Sequence, residues 1–279
     1  MNLTFDTTVR IPFPQPKNLR LQSLYFFNMY RAGSSVLEAA AEAFALVTNR
    51  TLNNVTMRIY DAKIEFIDPK DYNKSSVFLA DEGAPLLKIC EIGGYLNYGF
   101  REVPIGFARG FSHIGASMLI VRDPRDIGIS HYSAVMKHDD KNSVYGDHVR
   151  SARDLVGRKS LEEYLLSDEL ISFLNRISQC YGPMIARGMP VIQYEQLYLD
   201  DAFSVELMCR SIFDTFHSYD DGSWNFAAFE ANTRLRIANS AGLKGHGTGG
   251  TIAMYRSLPP KVLDAYSNRL RDSLDLLGY

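Results

Sequence analysis

Ala116-Ser117-Met118-Leu119-Ile120-Val121-Arg122-Asp123-Pro124-Arg125-Asp126, with Ser130 a few residues on, is the stretch from which the fold can be read. The short apolar run is the pattern of a strand covered on both faces, as in a parallel sheet. It delivers an arginine and a turn to a helix start, and in open α/β sheets such turns hold phosphates. An anionic nucleotide is therefore the first ligand to consider.

The same order occurs earlier in the chain. Residues 21–29 form a short aromatic-rich run that suits a buried strand, Tyr30-Arg31-Ala32-Gly33-Ser34-Ser35 is a tight loop, and residues 35–47 are alanine-rich with helical periodicity. Glycine and small hydroxyl residues there let backbone N–H groups approach a phosphate at the helix N-terminus, with Arg31 supplying charge. The loop lacks the Gly-x-x-x-x-Gly-Lys-Ser/Thr spacing of a nucleoside-triphosphate loop. Repetition of strand, loop and helix predicts an α/β fold: a single domain over residues 1–279, with a central parallel β-sheet flanked by helices.

Elsewhere the pattern predicts a strand over 57–66, another within 86–98 ahead of Pro104, and a third over 189–194. Ser160, with Glu163 three residues on, opens an amphipathic helix that continues over 165–185. A last helix is expected over 260–277. The charged segment 137–159 and the glycine-rich 242–250 read as solvated loops, the first a candidate lid.

With 279 residues, 46% of them hydrophobic, the chain can bury a full core. Thirty basic against thirty-two acidic residues leave a formal charge of -2, so no global basic field exists to hold a nucleic acid or an anionic membrane. Cys90, Cys180 and Cys209 form no metal-ligand spacing and no disulfide framework, which fits a reducing compartment. No metal site is expected. Without a signal-like or membrane-spanning stretch, the expected location is the cytoplasm.

These motifs resemble a known family, the sulfotransferases that use 3'-phosphoadenosine 5'-phosphosulfate (PAPS) and release adenosine 3',5'-bisphosphate (PAP), and the resemblance spans nearly the whole chain. The family's 5'-phosphosulfate loop, a Lys or Arg followed by Ser-Gly-Thr-Thr, is similar to Arg31-Ala32-Gly33-Ser34-Ser35. Its 3'-phosphate motif, Arg-Asp-Pro-Arg-Asp with a serine eight residues after the first arginine, resembles Arg122 to Asp126 with Ser130. The strand ending in Tyr-Glu-Asp-Leu, whose tyrosine approaches the adenine, is similar to Tyr194-Glu195-Gln196-Leu197. A Leu277-Gly278-Tyr279 end also agrees with bacterial members. What this implies is a P-loop-like sulfotransferase fold, with PAPS bound by residues 31–35, Arg122, Ser130 and Tyr194.

Departures from the pattern are informative too. Val36 stands where cytosolic members carry an adenine-stacking tryptophan, and Leu243-Lys244-Gly245-His246 stands where the family presents Arg-Lys-Gly to the 3'-phosphate. Lys244 and Gly245 are the candidates there, with His246 behind them. The family's Lys-Thr-His-Leu-Pro falls on Phe100-Arg101-Glu102-Val103-Pro104, twenty residues before Arg122, so Glu102 takes the histidine's place as base and Arg101 is nearest to the missing cation. His113 is the rival base, and Asp81, Glu82 and Glu91 are weaker ones.

The resemblance implies in-line transfer of a sulfonate group to a hydroxyl or amine of a small-molecule acceptor, with Glu102 and Arg31 as the catalytic pair. Sixteen tyrosines and sixteen phenylalanines make a pocket for a partly apolar acceptor easy to build, bordered by residues 72–82 and 137–159. Two alternatives stay open: a small-molecule kinase with a degenerate phosphate loop, and a non-catalytic nucleotide-binding protein of the same fold.

Overall fold

The computed structural model describes residues 2–5, 9–55, 87–88, 90–103, 105–137, 156–200, 202–239 and 252–279. The chain opens on an antiparallel hairpin, β1 (Asn2–Phe5) with β2 (Val9–Pro12), that the proline-rich start did not announce. Next come β3 (Leu24–Asn28), α1 (Ser34–Val47), β4 (Thr51–Asn54), β5 (Tyr95–Phe100), α2 (Ile105–Gly110) and β6 (Ser117–Val121). After α3 (Pro124–Lys137) follow three short helices, α4 (Leu161–Leu165), α5 (Asp168–Gln179) and α6 (Gly182–Ile185), and then β7 (Val191–Gln193). A small hairpin of β8 (Tyr198–Leu199) and β9 (Ala202–Phe203) precedes α7 (Val205–Phe216), α8 (Phe226–Asn239), α9 (Pro260–Arg269) and α10 (Arg271–Leu277).

The central sheet has five strands in the order β4-β5-β3-β6-β7, every neighbouring pair parallel. This is the predicted α/β architecture. Every residue of β3 and of β6 is buried, as expected of strands covered on both faces. Alternation sends Phe26 to one side, against Phe44 of α1 and Phe216 of α7, while Tyr25 and Phe27 pack on Phe111 at the other. Truncating a ring such as Phe26, which has no solvent exposure, would cost about 3–5 kcal/mol.

Several boundaries differ from the periodicity. The helix expected over 165–185 is three pieces, because Ser167 Oγ accepts the Leu170 N–H and caps a new start, and Gly182-Pro183 restarts the chain again. The helix over 260–277 breaks at Leu270. In 86–98 the strand starts only after Gly94, whose φ of 87° suits the left-handed region that glycine occupies freely. The predicted capping box at Ser160 is present, with Ser160 Oγ accepting the Glu163 N–H at 3.2 Å and Glu163 accepting the Ser160 N–H at 2.7 Å. Cys90, Cys180 and Cys209 are buried free thiols. Among the described residues no helix is long and apolar enough to cross a membrane. The strand expected over 57–66 lies outside the described residues, as do 72–82, 138–155 and 242–250.

Candidate active site

Parallel strands end on one edge of the sheet, and the adjacent strands β5, β3, β6 and β7 lead there into Glu102, Arg31, Arg122 and Tyr194. Arg31 has φ of 62° and Gly33 φ of 72°, so the loop after β3 turns through the left-handed region twice within three residues. For arginine that conformation costs about 1–2 kcal/mol, strain of a kind that concentrates at ligand sites. Gly33 caps α1 without any side-chain hydrogen bond, and the first amides bonded into the helix are those of Val36 and Leu37, at 3.1 and 2.9 Å from Gly33 O. The preceding amides sit at the positive end of the helix dipole, where anions are stabilised. The Arg31 Nε is buried without a hydrogen-bond partner among the described residues. Ser34 is fixed from below, its Oγ accepting from Asn28 Nδ2 at 3.1 Å and its carbonyl from the Tyr98 hydroxyl at 3.0 Å.

The loop after β6 is bound to this one. Arg122 is 4% exposed, and its Nη1 donates to Arg31 O at 3.2 Å. Its guanidinium lies 5.4 Å from the centroid of the Tyr194 ring and 3.8 Å from Asp126. That ring also rests on Gly33, where an added Cβ would come within 2.6 Å of Tyr194 Cε2. Tyr194 is thus buried between the two loops, and its hydroxyl accepts from Tyr198 at 3.0 Å.

The charges of Arg122, Asp123, Arg125 and Asp126 lie largely inside the protein, not on its surface. Asp123 is 1% exposed, accepts from the Arg125 N–H and guanidinium, and donates its own N–H to Glu195 at 3.0 Å. Asp126 has no exposure and accepts the amides of Ala253 and Tyr255 at 2.6 and 3.2 Å. Desolvation raises its carboxyl above the usual range, against the opposing pull of Arg122. Ser130, one turn beyond on α3, is buried on the same helix face.

Glu102 sits 2.8 Å from Arg176 Nε of α5, beside a cavity of about 700 Å³ that Asp168, Asn175, Gln179 and Arg269 also line. Desolvation raises its carboxyl above the usual range, and Arg176 pulls it back. The rival His113 precedes β6 and stacks on Tyr25 at 5.4 Å, which puts it at the opposite edge of the sheet. Arg101 is exposed and its charge acts on Glu38 of α1, so it does not stand in for the missing lysine beside Glu102. Phe100 is core, packed on Phe27 at 4.7 Å, and Glu91 is exposed. Val36 packs partly buried against the core. Lys244, Gly245, His246, Asp81 and Glu82 lie outside the described residues.

Several residues went unnoticed in the sequence. Arg176 is one, since nothing local links it to Glu102. His131 is another, buried behind Ser130 with its Nδ1 2.7 Å from the Tyr164 hydroxyl. Glu195 is a third: the Tyr279 hydroxyl donates to it, and Gln193 Nε2 donates to Leu277 O and Gly278 O at 3.2 and 2.8 Å. The chain end therefore locks the strand that carries Tyr194. Its signal was the Leu-Gly-Tyr ending, which gave no partner.

No protein-family model matches this chain, and no curated protein matches it. Among solved structures it is similar to mouse sulfotransferase SULT7A1 complexed with PAP, at 10% identity over 91% of this chain and 84% of that one, with a TM-score of 0.43. It is also similar to a retinol dehydratase in a complex with retinol and PAP, at 12% identity over 92% and 82% of the two chains, with a TM-score of 0.37.

Proposed function

We propose that this protein transfers a sulfonate group from PAPS to a hydroxyl or amine of a small-molecule acceptor. The observation that carries this is the bond from Arg122 Nη1 to Arg31 O, which ties two arginine-bearing strand-end loops together. The residues present fit such a nucleotide: a left-handed loop, helix N-terminal amides, and the buried, unpartnered Nε of Arg31.

Bound there, PAPS supplies an electrophilic sulfur whose leaving group is the 5'-phosphate. Arg31, Ser34, Ser35 and the amides from Gly33 to Ser35 hold the 5' side and offset the charge that grows on it. Arg122 and Ser130 take the 3'-phosphate, with Lys244 and Gly245 as further contacts, and Tyr194 supplies the aromatic edge for adenine. Glu102 accepts the acceptor's proton, and Arg176 holds that carboxylate in place. The reaction needs a base that is ionised near neutrality, and a carboxylate raised by desolvation is a stronger base than an exposed one.

Binding and turnover measurements test this. PAP, but not ATP, should raise the melting temperature, since a ligand at 100 times its Kd stabilises by about 2.7 kcal/mol. Labelled sulfonate should pass to an acceptor, and Glu102→Gln should lower turnover about 10²–10⁴-fold while PAP affinity is kept. The acid limb of turnover should lie above the ordinary carboxylate range, activity falling as Glu102 protonates, and Arg176→Met should move that limb higher. Stabilisation by ATP alone would favour a kinase, and near-normal turnover by Glu102→Gln would remove that residue from the chemistry.

A further inference from the structure

His131 follows Ser130 on α3 and is 9% exposed. Its ring lies 5.9 Å from Tyr30, 6.0 Å from Phe173 and 6.0 Å from Tyr164, nearly parallel to the last. Among the described residues its hydrogen-bond partner is the Tyr164 hydroxyl, on Nδ1. Nε2 has no hydrogen-bond partner among the described residues. Burial, and after it the charge of Arg31, push the imidazole down to about 4, so it is neutral at pH 7. A histidine serving only as core filler needs neither an open Nε2 nor a place beside the loop arginine.

We propose that His131, held by Tyr164 with its proton on Nε2, donates to the anion that Arg31 binds and takes up a second proton as that anion arrives. This rests on the sulfonate-transfer reading for the identity of the anion, the 5'-phosphate side of the nucleotide. Among the described residues the groups facing His131 are few. The loop after β3 brings Tyr30 and the cation Arg31, α4 brings Tyr164, and α5 brings the uncharged ring of Phe173. The next charge along α5, Arg176, is paired with Glu102. With Arg31 alone, a second positive charge is disfavoured. A phosphate beside both reverses the local field and favours the imidazolium. The incoming proton, drawn from solvent, goes to Nδ1, and the Tyr164 hydroxyl turns from donor to acceptor, as a phenol can. His131 thereby adds positive charge on the leaving-group side at the moment the anion is present.

Calorimetry of PAP binding at pH 6.5, in buffers of different ionisation enthalpy, reads the proton directly. Wild type should take up more protons than His131→Asn, whose PAP affinity should fall about tenfold, the cost of one charge-assisted hydrogen bond. The same loss should appear with adenosine 5'-monophosphate and not with adenosine 3'-monophosphate. Tyr164→Phe should keep the fold and alter the proton uptake. If His131→Asn does not fold, ¹⁵N spectra of wild-type histidines decide, an imidazolium pattern at His131 on adding PAP being expected. Equal proton uptake and affinity in wild type and His131→Asn, or a neutral His131 in the bound state, overturns the proposal and leaves the nucleotide site standing. Absence of PAP binding to wild type removes both.

Discussion

The loop after β3 and the loop after β6 do the same topological task, each carrying the chain from a buried parallel strand into a 14-residue helix at one edge of the sheet. They are built in opposite ways. After β6, the charges are consumed in scaffolding: Asp123 holds Arg125 and Glu195, and Asp126 holds the amides of residues 253 and 255. After β3, a strained arginine and a glycine lead into a helix with no side-chain cap. One loop spends its carboxylates on its own protein, and the other is left with donors to give. The first also lends a bond to the second, from Arg122 to Arg31 O, and thereby holds it in shape.

That contrast can be tested by substitution. Arg122→Ala should be worst, because it removes both the proposed phosphate contact and the brace of the neighbouring loop. PAP affinity should fall about 100-fold or more, and a melting curve should show lost stability as well. Gly33→Ala comes next, since it places a methyl against Tyr194 and demands a left-handed alanine. Its cost should be about 2–3 kcal/mol, a fall of roughly 5 °C in melting temperature. Arg31→Gly should do least to stability. Relief of about 1–2 kcal/mol of left-handed strain is offset by about 0.5–1 kcal/mol of added backbone entropy, leaving the protein within about 1.5 kcal/mol of wild type. Its PAP affinity should nonetheless drop about tenfold. An Arg31→Gly variant as unstable as Arg122→Ala would erase the distinction between a loop kept for the ligand and one kept for the fold.

The sequence exposed these loops unequally. Arg122 to Asp126 stood out as a motif, yet only the structure showed that Asp126 loses all solvent. Glu102 was singled out through the resemblance of Phe100 to Pro104 to the family's Lys-Thr-His-Leu-Pro, but its partner Arg176 lies 74 residues on, reached only because α5 packs beside the end of β5. His131 gave no sign beyond following Ser130. A lone histidine in a helix has no address until Tyr30, Tyr164 and Phe173 close around it. The single helix expected over 165–185 failed for a related reason, because apolar periodicity continues across Ser167 and Gly182 while the backbone hydrogen bonds do not.

The sequence by itself determined the repeated strand, loop and helix, the burial of β3 and β6, and the two arginine loops, because these follow from local apolar periodicity and turn chemistry. Only the tertiary structure decided which charges were spent and which were free. Pairing Arg122 with a carbonyl 91 residues away, Glu102 with Arg176, and the Tyr279 hydroxyl with Glu195 depends on strand order, and strand order is set by the packing of the whole core rather than by any one segment.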